Sequence, residues 1–192
     1  GFDASTMADD IQAVTQQFEI AAEDSMHIAD VYDTVSKNIS VDYAKGIEAI
    51  AESVQVAGST AKMAGLEFED LAALTGKVVE TTRLAGAQVG NGMKTIFTRL
   101  SRVGELSDEV DNETLSKASE SLHQIGVEVY NADGSYRSFK TIMSELAAKW
   151  GDLTEAEKSN ISFNVAATRQ TNLLNAVLSN FSDSMELAEQ AT

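Results

Sequence analysis

Apolar residues recur along most of the chain at intervals of three and four, the period that places them on one face of an α-helix. Ile11, Val14 and Phe18 follow Thr6, which is placed to cap a first helix, with Asp9 near its electropositive end. Ile28, Val31 and Val35 define a second helix over 21–37, and 38–40 breaks it. Ser40 or Asp42 opens a third, with Tyr43, Ile47, Ile50 and Val54 on one face and an end near Ala64 and Gly65. Phe68, Leu71, Leu74 and Val78 mark a fourth, running to about Arg83. The stretch LAGAQVGNG over 84–92 reads as a glycine-rich junction, where a tight turn and close backbone approach are both open. Val89, Met93, Ile96, Phe97 and Leu100 form the next apolar face, and Leu115, Leu122 and Ile125 another.

The helical period lapses at GVEVYNADGSYRSF, over 126–139. Val127, Val129, Tyr136 and Phe139 are strand-forming or aromatic, and Asp133-Gly134 lies between the two short runs. Such a pair signals a hairpin, because glycine tolerates positive φ. Ser138 then caps a helix with Ile142, Met143, Leu146 and Trp150 on one stripe. Thr154 and Glu157 have the spacing of a capping box that opens a helix with Ile161, Phe163 and Val165. Leu173, Leu174, Val177, Leu178 and Phe181 make a last stripe. The expected fold class is all-α or nearly so: a multi-helix globular fragment of eight or nine helices with one small β-hairpin near 127–139. A helical subdomain over 1–102, an acidic linker or helix end at 103–112, and a helical subdomain with the hairpin over 113–192 complete the expectation.

Composition narrows the function classes. The 192 residues are 43% hydrophobic, enough to fold around a core. No cysteine is present, so disulfides and thiolate metal sites are excluded, and the absence of proline suits long helices. Thirty acidic against 14 basic residues give a formal charge of -16, a surface that repels nucleic acid and anionic membranes. No apolar run reaches membrane-spanning length, and the start lacks the pattern of a signal peptide. Both ends suggest a segment of a longer chain.

Candidate chemistry is sparse. His27 lies with Glu23 and Asp30 on one helical side, a ligand set for a metal but also an ordinary helix surface. His123 has no orienting third group. Gly92-Met93-Lys94-Thr95 and Gly76-Lys77-Val78 imitate phosphate loops, but each lacks part of the required pattern. Ser59 and Lys62 have the spacing of a serine–lysine pair without its companion motifs. Carboxylate pairs such as Glu67 with Asp70 and Glu105 with Glu109 are expected in so acidic a chain. Tyr136 with Arg137 could form a contact surface, and Arg169-Gln170 could brace a helix junction by binding exposed carbonyls. No cofactor is expected, and no catalytic or metal site.

The run VQVAGSTAKMAGLEFEDLAALTGKVVETTRLAGAQVGNGMKTIFTRLSRV over 54–103 contains Gly86 and Gly90 in a Gly-x-x-x-Gly arrangement, followed by Lys94, Thr95, Phe97, Arg99 and Leu100. Further on come Ile125-Gly126-Val127, Tyr130, Gly134, Arg137, Phe139, Ile142, Glu145-Leu146, Trp150, Leu153 and Ala167-Thr168-Arg169-Gln170. In order and spacing these motifs resemble the helical domain of the phage tail tape measure protein family, as found in tailed phages and prophages of Gram-positive hosts. Asn160-Ile161-Ser162-Phe163 is more polar than that family's pattern. The resemblance implies a non-enzymatic structural module of tail assembly and tail-length determination, released during DNA delivery. It implies other copies of the same protein as partners, with tail tube, tail tip and tail assembly chaperone proteins. It implies a place in the virion tail lumen, in the host cytoplasm during assembly, and in some cases encoding by a prophage. No sequence-specific nucleic acid binding is expected, and membrane contact only during DNA delivery. The structural residues expected are Gly86 and Gly90 for close packing, Gly134 for the hairpin, Trp150 for the core and Arg169 for the helix junction. The alternative is a cell-wall hydrolase or a membrane-active module acting in infection.

Overall fold

A computed structural model describes residues 4–101, 104, 110–167 and 170–192. Among them are ten α-helices: α1 (Ala4–Phe18), α2 (Ser25–Lys37), α3 (Tyr43–Met63), α4 (Phe68–Thr82), α5 (Gly86–Arg99), α6 (Asn112–His123), α7 (Phe139–Trp150), α8 (Glu155–Ala166), α9 (Thr171–Ser179) and α10 (Phe181–Ala191). A 3-10 turn, Ala22–Asp24, leads into α2. The count exceeds the expected eight or nine because the stripe from Leu173 to Phe181 breaks at Asn180, which separates α9 from α10.

Local signals set many of the boundaries. Asp42 caps α3 by accepting from the Lys45 amide at 3.2 Å, and Ser138 caps α7 by accepting from the Thr141 amide at 3.1 Å. Thr154 and Glu157 close a reciprocal capping box on α8. α3 ends when the amides of Gly65 and Leu66 return to the carbonyls of Lys62 and Ala61, both at 3.0 Å. Thr6 is not a cap, since α1 already runs from Ala4. The supposed junction at 84–92 is mostly helix: only Arg83 to Ala85 lie between α4 and α5.

The expected β-hairpin is not present. Among the described residues there is no β-strand; Tyr130 and Tyr136 form one isolated antiparallel bridge. The chain does reverse at Gly134, but no ladder grows from the turn. On one side the Val127 amide is already bonded to Leu122 at the end of α6. On the other, Ser138 opens α7 two residues after the bridge. Val127 and Val129 instead point into the core, at 0% and 2% exposure.

One apolar core takes in buried side chains from all ten helices. α3, the longest, packs on α1, α2, α4 and most extensively on α5. α10 returns to cover α4 and α2, while α8 and α9 lie against α5. Phe68 at the start of α4 packs edge-on against Phe18 of α1 and Tyr32 of α2, with centroids 5.8 and 5.4 Å apart. Phe97 of α5 meets Phe139 of α7 in the same way at 4.9 Å. Tyr43 and Phe163, both assigned to apolar stripes, are 46% and 60% exposed. The expected linker at 103–112 lies mostly outside the described residues, which omit 103 and 105–109.

Candidate functional site

The most extensive helix–helix contact, α3 on α5, is built on the glycines of α5. A Cβ at Gly86 would lie 2.7 Å from Glu52 Cβ and nearer still to the Ala49 carbonyl oxygen. A Cβ at Gly90 would lie 2.7 Å from Val56 Cβ and 2.8 Å from the Ser53 carbonyl oxygen. Both approaches fall well inside van der Waals separation, so α3 and α5 touch backbone to backbone. The Ser53 hydroxyl lies 2.8 Å from the carbonyl oxygens of both Ala49 and Gly86, which bonds the two helices at their contact. Ala85 leads into α5 without a side-chain cap. Glu52 of α3 supplies one from across the contact, accepting from the Ala87 amide at 3.3 Å. A carboxylate there also suits the electropositive end of the α5 dipole.

The opposite end of α5 is tied to α8. Arg99 Nη1 donates to the carbonyls of Phe163 and Asn164 at 3.2 and 2.9 Å, in the last turn of α8. Those carbonyls have no later amide within the helix, and a cation there is favoured by the helix dipole. Burial holds the Arg99 guanidinium below its ordinary pKa. A Cβ at Gly92 would press on the Leu173 side chain and lie 2.8 Å from Gln170 Oε1, so α9 also rests on a glycine of α5. Arg169, expected to brace this joint, lies outside the described residues.

Gly134 has φ of +83° at the tip of the 126–138 segment, a conformation costly for side chains with a Cβ. Asp133 fixes the turn by accepting from the Ser135 amide and hydroxyl at 3.0 and 2.6 Å, and these bonds hold its carboxyl below the usual range. Arg137 donates to both Glu145 oxygens at 2.8 and 2.6 Å and to the Glu128 carbonyl at 2.9 Å, fastening the turn to α7. Trp150, at 9% exposure, ends α7 within the core.

The remaining candidates are drawn into structural bonds. His27 pairs with Glu69 at 2.5 Å rather than with Glu23 or Asp30, and His123 with Glu128 at 2.6 Å. Glu67 and Asp70 form a capping box on α4, and Asp70, 5% exposed, also takes Lys140 of α7 at 2.6 Å. Lys62 pairs with Glu67 rather than Ser59, and Lys77 with Glu80. Glu105 and Glu109 lie outside the described residues. Sequence reasoning passed over Asp10, which is 2% exposed on α1 and accepts from the Gln55 amide group of α3. Burial, then Asp9 and Glu52, raise its pKa. The nearby Tyr32 hydroxyl is fully buried and finds no hydrogen-bond partner among the described residues; burial, then Asp10, push its pKa up.

Among the described residues no group of three or more metal-ligating side chains comes together. No described helix is long and apolar enough to cross a membrane. What the arrangement does is hold helices against one another through backbone contacts and carbonyl clamps.

Comparison with known proteins agrees in kind. A family described as phage-related minor tail protein matches residues 1–166. The "Probable tape measure protein" of Escherichia phage P2 is 22% identical over 140 residues, which cover 73% of this chain and 15% of that protein. The chain thus corresponds to a small part of that relative, and the expected kinship with Gram-positive hosts has no counterpart in it. No solved structure matches.

Proposed function

The chain belongs to the phage-related minor tail protein family, and from that premise we propose that it is a helix-packing module of a tape measure protein. It is a structural, non-catalytic, tail-associated helical module. The finer reading is that the full-length protein sets tail length during assembly and leaves the tail when DNA is delivered. The observation that carries it is the family match over 1–166, together with the likeness to a tape measure protein. On this reading other copies of the protein, the tail tube, the tail tip and tail assembly chaperones are its partners. It sits in the tail lumen after assembly in the host cytoplasm.

Gly86 and Gly90 serve close packing, Gly134 the turn and Trp150 the core. Among the described residues ten helices share one core, which makes a compact body and not a rod. The ruler is therefore assigned to helical stretches elsewhere in the full-length protein, and these 192 residues to its assembly head. The test is tail length by electron microscopy in phage carrying an in-frame deletion in such a stretch. A tail shortened by about 1.5 Å per deleted residue is the expected result, from the rise of an α-helix. Tails of unchanged length at full yield overturn the ruler reading.

A further inference from the structure

We propose that α1 exchanges between two copies of this chain, its joint with α2 straightening so that residues 4–37 become one helix and each α1 fills the seat left by the other. The joint is closed by a turn that its sequence does not favour. The Ile20 amide returns to the Thr15 carbonyl at 3.1 Å, and Glu19 takes a φ of +58°. The same return ends α3, from Leu66 to Ala61, and α6, from Val127 to Leu122, and there the left-handed position falls on Gly65 and Gly126. At the end of α1 it falls on a glutamate, whose Cβ this conformation crowds. Residues 19–24, EIAAED, hold no glycine, and alanine and glutamate are strong helix formers.

The apolar pattern runs through the joint without a change of phase. From Met7 to Val35, positions four and three apart in alternation are apolar at every step but Ser25, and Phe18, Ala21 and Ile28 carry the row across the turn. With the joint helical, the buried faces of α1 and α2 therefore lie along one side of one helix, where both meet the same neighbour.

The seat of α1 is narrow and specific. The helix packs chiefly on α3 and α2, and among the described residues one joint retains it. Gln17 donates to the Gln55 carbonyl at 3.0 Å and lies over Gly58, where a Cβ would stand 2.9 Å from Gln17 Cδ and 3.2 Å from Phe18 Cε2. The Gln55 side chain in turn donates to the buried Asp10. Each of these contacts is remade when α1 comes from a second copy, and the strained turn is removed from both chains. Against this stands the entropy of joining two molecules, so exchange depends on concentration. Arg83 and Ala167 also take positive φ, but they stand between helices held in the core on both sides. The inference rests on residues 4–37 and their seat, and its failure leaves the tail assignment untouched.

The test uses the 192-residue chain, unfolded in urea and refolded at high concentration. Light scattering is expected to show a dimer. Glu19→Gly relieves the turn in the closed chain and weakens the helix in the open one, so it lowers the dimerisation constant at least about tenfold. The chain has no cysteine, so the exchange itself is read by a disulfide. Single variants Q17C and G58C are refolded together and oxidised, and residue 17 of one copy is expected to bond residue 58 of the other in excess over 17–17 and 58–58 pairs. A chain that stays monomeric, a dimer whose disulfides form at random, or a dimerisation constant unmoved by Glu19→Gly each overturns the proposal.

Discussion

Replacing Gly90 by alanine sets two opposed effects against each other, and the structure decides which wins. In an exposed helix interior the change stabilises by about 1 kcal/mol, because alanine loses less backbone entropy. At Gly90 the added methyl meets Val56 Cβ at 2.7 Å, the Ser53 carbonyl oxygen at 2.8 Å and Ser53 Cα at 3.1 Å. Two of those three are backbone atoms in the middle of α3, which cannot rotate away as a side-chain tip can. Overpacking of a tight contact costs about 1–3 kcal/mol, and the backbone contacts place this case toward the upper end. The net expectation is a loss of about 1–2 kcal/mol, or a melting temperature lower by roughly 2–8 °C for a chain this size. The reference variant is Gly151→Ala, where φ is -63° and nothing lies within 4 Å of the new methyl. That change should be neutral or stabilising by about 0.4–1 kcal/mol. Urea unfolding followed by circular dichroism reads both variants. Opposite signs are expected. A Gly90→Ala protein as stable as the Gly151→Ala protein would mean that α3 and α5 do not meet backbone to backbone, and the packing argument fails.

Two further predictions concern charge and turn. Because the folded state raises the Asp10 pKa above 3.8, its stabilising contribution is complete below that value and is lost as pH rises through the raised one. Asp10→Asn keeps the site neutral, so its stability relative to wild type should grow as pH rises above about 4 and level off once Asp10 is ionised in the folded state; a difference that stays flat with pH refutes it. Gly134→Val forces a β-branched residue into φ of +83° with no steric contact within 4 Å, so the cost is conformational, about 1–2 kcal/mol, with Gly134→Asn losing less. Thermal melts of the two variants test this, and an unperturbed valine variant removes the positive-φ turn from the account.

Helix period and capping chemistry were readable because both act within a few residues. Asp42, Ser138 and the Thr154–Glu157 pair each mark a helix start in the folded chain. Glycine was harder, since the same residue serves turns and close packing. The 84–92 stretch has the composition of a turn, yet Gly86, Gly90 and Gly92 all lie inside α5. Their reason is α3 and α9, partners distant in sequence. The hairpin expectation failed for a related cause. Asp133-Gly134 reversed the chain, but a ladder also needs free backbone donors on both flanks, and the ends of α6 and α7 had taken that space. Tyr43 and Phe163 fit an apolar stripe by spacing and still face solvent; Tyr43 is held there by Asp33 at 2.6 Å. The bonds from Arg99 to α8 and from Asp70 to Lys140 join residues far apart in the chain, and local pattern carries no trace of them.

The seating of α10 on α4 and α2 has a consequence in time. Asn180, at the head of α10, donates to Thr81 at 3.0 Å across 99 residues of sequence. A ribosome adds residues at roughly 5–20 per second, so about 5–20 s separate the synthesis of these two partners. Throughout that interval the sides of α2 and α4 on which α10 comes to pack lack their cover. In the nascent chain, then, the side of α4 that α10 covers in the finished fold stays open until α10 has been made.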